Sequence, residues 1–130
     1  MIVVGRQLSG PQLYSFSFDN RAGARAATQH LIEQGHRRIA FIAGPRDNFD
    51  ATERLAGYCE AVAVHSDVRE FVLPGDFSEE AGVAAAERLL QLAERPDAVF
   101  AANDMMALGC LRALTEAVVR VPADVAVVGF

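Results

Sequence analysis

The chain has 130 residues, 52% hydrophobic and 22% charged, which suits one soluble globular domain with a sizeable core. Its net charge of −5 argues against nucleic-acid binding by these residues alone, because that affinity comes from Lys and Arg neutralising phosphates; contact with DNA would need another segment. No apolar stretch approaches the ~20 residues that cross a bilayer, and the first residues lack the charged and hydrophobic regions of a secretory signal, so a cytoplasmic setting is expected.

In chain order, Ile2–Val4 and Ser15–Phe18 read as short strands, separated by Gly5–Gln12 with a turn at Gly10-Pro11. A helix then begins near Asp19 or Asn20, either of which can cap it. It places Ala24, Ala27 and Leu31 on one face and stops at Gly35. Arg38–Ala43 is nearly all apolar, as expected of a central strand covered on both faces. Asp50 followed three residues later by Glu53 reads as a capping-box-like start for a helix whose body is Arg54–Val64.

A short polar connection, His65–Glu70, leads to the strand Phe71–Leu73. Ser78 is a good N-cap, with Glu79 and Glu80 in the first turn, for a helix through about Glu94 with Pro96 beyond it. Strand Ala98–Ala101, a helix from about Asp104 to Ala117, a turn at Pro122 and strand Val125–Phe130 complete the alternation. Regular βαβ units of this length imply an α/β fold with an open parallel sheet flanked by helices on both faces.

In such a sheet, ligands sit beyond the carboxyl ends of the strands. The loops Gly44–Asn48, Pro74–Phe77 and Asn103-Asp104 would therefore share one mouth lined by carboxylates, amides and an aromatic ring. These groups suit a neutral polyhydroxylated or heterocyclic ligand and include no evident nucleophile. His30, His36 and His65 are scattered without metal-ligand spacing, and no phosphate-cradling glycine loop or nucleophile elbow is present, so no catalytic residue, metal or cofactor is expected. Cys59 and Cys110 read as reduced, packed thiols.

The blocks His36–Pro45, Arg54–Tyr58, Gly75-Asp76-Phe77, Ala102–Gly109 and Val121–Phe130 occur in an order that resembles the LacI/GalR family of bacterial transcriptional regulators. The resemblance implies an effector-binding core shaped like the periplasmic sugar-binding proteins, in which two subdomains close around a small molecule. Residues 1–18 would end the N-terminal subdomain and form the crossover; residues 19–130 would be the C-terminal subdomain. The chain starts and stops within apolar runs and is expected to be a piece of a longer protein. The operator-reading helix-turn-helix would lie elsewhere. The chain halts at Phe130, before the Asp-Asp that similar proteins carry, and has a shorter stretch between Tyr58 and Phe71.

The resemblance further implies ligand contacts at Asn48, Asp50, Arg54, Phe77, Asn103 and Asp104. Each has an alternative. Asn103 and Asp104 also suit capping, Asp50 an N-cap, Asn48 a turn, Arg54 a surface salt bridge with Glu53 or Asp50, and Phe77 core packing. Asp19, Asp47 and Asp76 are weaker candidates. The carboxylates favour a neutral sugar over an acid, with a nucleobase-like effector as the other possibility and a solute receptor for uptake as the competing function. Helices matching Ser78–Val83 and Ala107–Arg112 would support a homodimer.

Overall fold

The computed structural model describes residues 1–130. Strands β1 (Ile2–Val4) and β2 (Tyr14–Phe16) pair in parallel as a small sheet of their own. Helix α1 (Asn20–Glu33) then opens a regular alternation of β3 (Arg38–Ile42), α2 (Phe49–Ala63), β4 (Arg69–Leu73), α3 (Glu79–Leu90), β5 (Ala98–Ala101), α4 (Asp104–Glu116) and β6 (Ala126–Val128). The four later strands form one parallel sheet in the order β4-β3-β5-β6.

From β3 the chain moves outward to β4, then returns past β3 to β5 and continues to β6. Right-handed crossovers therefore put α2 on one face and α3 and α4 on the other. The packing agrees, since α1 lies against α2 and α3 against α4. Covered on both faces, Ile39–Ile42 and Ala98–Ala101 are wholly buried, which is why both strands are unbroken apolar runs. The α/β class and the central place of β3 are as expected from sequence.

Several boundaries differ. The second strand is Tyr14–Phe16 rather than Ser15–Phe18, and β4 begins at Arg69, so part of the anticipated polar connection is strand. As the outermost strand, β4 can carry the polar Arg69 and Glu70. Helix α3 ends at Leu90, where the Gln91 and Leu92 amides turn back to the Arg88 and Leu89 carbonyls in tighter bonds. Gly35, at φ +97°, does end α1.

The core centres on Phe41, which stacks on Tyr58 at 5.0 Å and meets Phe100 edge-on at 5.1 Å. Tyr58 is fully buried, and its hydroxyl donates to the Ile39 carbonyl at 2.7 Å while accepting from the Phe71 amide at 3.0 Å. One side chain of α2 thus ties β3 to the edge strand. Desolvation pushes this phenol up to about 12. Replacing Tyr58 with Phe removes both bonds from a buried place and is expected to cost about 1–3 kcal/mol, read as a lower urea midpoint of the intact protein.

Candidate functional site

The strand order reverses between β3 and β5, and the crevice beyond their carboxyl ends is where an open sheet receives a ligand. After β3, Ala43–Asp47 turns tightly and the Asn48 amide donates to the Pro45 carbonyl at 3.1 Å. This leaves Asn48 extended, at φ −93° and ψ 123°, with its Oδ1 accepting from the Ala51 amide at 2.9 Å. Asn48, not Asp50, is therefore the N-cap of α2. Asp50 already has helical geometry in the first turn, and Glu53 pairs with Arg21 of α1 at 2.9 Å instead of closing a capping box.

Arg54, one turn further along, sits partly buried at the switch point. Its Nε donates to Asn20 Oδ1 at 2.8 Å and its Nη1 to the Ala102 carbonyl, at the end of β5, at 2.7 Å. The guanidinium lies over the Phe130 ring, 4.1 Å from its centre, with Phe77 5.9 Å away. Burial lowers the Arg54 pKa, opposed by the nearby charges of Asp50 and Asp104. The anticipated surface salt bridge to Glu53 or Asp50 does not form. Two neutral oxygens hold Arg54, and its remaining N–H groups are unspent.

Asn103 caps α4, accepting from the Met106 amide at 3.0 Å, and its Nδ2 donates to the Phe77 carbonyl at 2.9 Å. That bond helps hold Phe77 in the left-handed region, at φ 72°, an uncommon conformation for a residue with a side chain. The Phe77 ring covers Gly44, where an added Cβ would overlap it. Asp104 is exposed in the first turn of α4 and touches Gly129. Capping α4 and holding the Phe77 backbone are thus combined in Asn103.

The six anticipated residues fall into two groups. Arg54, Phe77, Asn103 and Asp104 gather at the switch point with Phe130. Asn48 and Asp50 line a separate cavity of about 730 Å³ together with Arg6, Gln7, Phe18, Asp19, Asn20 and Asp47. Asn20 joins the groups, donating to Asp50 at 2.9 Å while accepting from Arg54. Of the weaker candidates, Asp19 caps α1 and Asp76 accepts from the Ser78 amide and hydroxyl, which keep its carboxyl below the usual range.

Sequence reasoning missed Asn20 and Phe130 as members of the site. Asn20 follows the capping Asp19, so its type is explained by the helix start and nothing local marks its long-range bonds. Phe130 had a usable signal: it follows a parallel strand, where side chains face the mouth.

Residues 28–130 match the model of the periplasmic binding protein-like domain. Over 130 residues the chain is 51% identical to the HTH-type transcriptional regulator CelR of Thermobifida fusca, covering 97% of this chain and 38% of that protein. A solved CelR-cellobiose complex superposes with a TM-score of 0.84 at 49% identity, over 98% of this chain and 40% of that one. A sugar-binding LacI-family regulator from Escherichia coli complexed with phosphate gives a TM-score of 0.87 at 35% identity, over 99% of this chain and 47% of that one. The chain thus spans well under half the length of these relatives. These relatives are transcriptional regulators. No helix is long and apolar enough to cross a membrane. The chain belongs to the periplasmic binding protein-like domain family, and over nearly its whole length it is similar to part of a LacI-family regulator.

Proposed function

We propose that this chain is the effector-binding and dimerisation part of a cytoplasmic LacI-type transcriptional regulator, with a neutral sugar of the cellobiose class as effector. The observation that carries the reading is Arg54. Its guanidinium is held in plane by Asn20 and Ala102 and stacked on Phe130, with N–H groups left over beside Phe77. A planar donor next to an aromatic face suits a sugar ring, which offers hydroxyl oxygens at its edge and C–H groups on its side. Asp19, Asp47, Asp50 and Asp104 outnumber Arg6 and Arg54 and disfavour an anionic ligand. Likeness to a regulator solved with cellobiose supports the same class.

In this reading residues 1–18 carry the crossover and residues 19–130 form one wall of the cleft. The separate two-stranded sheet and the cavity between Phe18 and α2 support that division. The effector acts by unequal affinity for open and closed arrangements, and a coupling of about 1–3 kcal/mol changes operator affinity roughly 5- to 150-fold. The operator is read by a DNA-binding domain outside this chain. Homodimerisation uses α3 and α4, and the exposed Met105, Leu108 and Leu111 of α4 support this.

A thermal-shift screen of the intact protein against cellobiose, other neutral sugars, polyols and purines tests this. Cellobiose or a related disaccharide is expected to raise the melting temperature, since a ligand at 100 times its Kd stabilises by about 2.7 kcal/mol, and to remain chemically unchanged. A shift by purines alone would discard the sugar class.

A further inference from the structure

We infer that Asn20 positions Arg54 for the ligand by acting as a neutral spacer between Arg54 and Asp50; the inference rests on Arg54 being a ligand contact, as proposed above. Asn20 is only 3% exposed, and both polar atoms of its carboxamide are hydrogen-bonded. Oδ1 accepts from Arg54 Nε at 2.8 Å, while Nδ2 donates to Asp50 Oδ1 at 2.9 Å and to the Phe18 carbonyl at 3.3 Å. The orientation of the amide is dictated by its neighbours, because a guanidinium only donates and a carboxylate only accepts.

This placement has a chemical result. Arg54 and Asp50 both contact Asn20, yet they form no ion pair with each other. A direct guanidinium–carboxylate fork would use up the donors and acceptors a polar ligand needs. Asn20 satisfies one site on each ion and, apart from the Arg54 Nη1 bond to the Ala102 carbonyl, leaves the rest available. Asp could accept from Arg54 but not donate to Asp50, and Ala could do neither. The Phe18 bond also ties this arrangement to the end of the segment after β2.

The test uses the intact protein labelled with ¹⁵N-arginine, with cellobiose as the ligand probe. Arg54 Nε–H, assigned by its absence in Arg54→Lys, is expected as a slowly exchanging signal that disappears in Asn20→Ala. Cellobiose affinity should fall about tenfold in that variant, the loss of one charge-assisted hydrogen bond. Asn20→Asp keeps an acceptor for Arg54 but sets a second carboxylate against Asp50. The charged groups around it are Asp50, Glu53 and Arg54 of α2, Asp104 beyond Arg54, Asp19 at its own helix cap, and Arg6 and Asp47 on the shared cavity. Its signal should persist, and its cellobiose affinity should lie below wild type at neutral pH and recover as the pH falls and the pair takes up a proton, a steeper response than that of wild type.

An Nε–H signal and affinity unchanged in Asn20→Ala would overturn the inference. If Asn20→Ala does not fold, a pH response of Asn20→Asp matching wild type overturns it equally. Should wild type ignore cellobiose while the Nε–H signal still depends on Asn20, the sugar reading falls and the positioning role stands.

Discussion

Replacing Arg54 with lysine is expected to weaken effector binding by the intact protein about a hundredfold, the combined loss of a charge-assisted hydrogen bond and an aromatic stacking contact. The side chain now serves three partners with one planar group: Asn20 through Nε, the Ala102 carbonyl through Nη1, and the Phe130 ring through its face. Lysine keeps the charge but has no Nε donor and no plane. Its ammonium can satisfy Ala102 or Asn20, and whichever it chooses it no longer presents a fixed edge to a ligand. Because Arg54 is only partly buried, the unliganded fold should survive with an unchanged circular dichroism spectrum. Titration calorimetry with the effector found by the thermal screen decides the matter. An affinity within about threefold of wild type, less than one ordinary hydrogen bond, would remove Arg54 from the ligand site.

Gly109→Ala should produce the largest loss of stability, about 3 kcal/mol, at the upper end of what overpacking costs. A Cβ built at Gly109 would overlap the Glu79 carbonyl, and one built at Gly82 would overlap Met106 backbone. The two glycines thus face each other's helices reciprocally, so α3 and α4 touch backbone to backbone. Neither partner is a flexible side chain that could move aside. Relief requires the helices to separate, which loosens Ala85, Ala86, Leu89, Met106, Cys110 and Leu114 in the core. Gly10→Ala is the control, because its added methyl would meet only Leu13 at an ordinary 3.9 Å and should change stability by less than about 0.5 kcal/mol. Urea midpoints of the two variants that coincide would show that the α3–α4 contact is not as tight as described.

The elements were largely legible because the buried strands leave period-free apolar runs and the helices carry caps with local chemistry. Asp19, Ser78 and Asn103 all cap as their types suggest. Asp50 did not, because the turn at Pro45–Asp47 set the helix start two residues earlier, and a cap residue cannot be ranked against a near neighbour of equal propensity. The site was legible in the same partial way. Loop residues at strand ends could be named, since topology brings those ends together. The Asn20–Arg54 and Arg54–Phe130 contacts could not, because they join α1, α2 and the end of the last strand across long stretches of chain that no local pattern reports.

The glycine seam bears on how an occupied pocket could be felt at a distance. Asn103 fastens the Phe77 wall to the start of α4, and α4 is locked to α3 with no room for one to slip along the other. If the proposed effector displaces Phe77, both helices move as one lever, and the proposed partner subunit would sense a change of tilt and not a change of register.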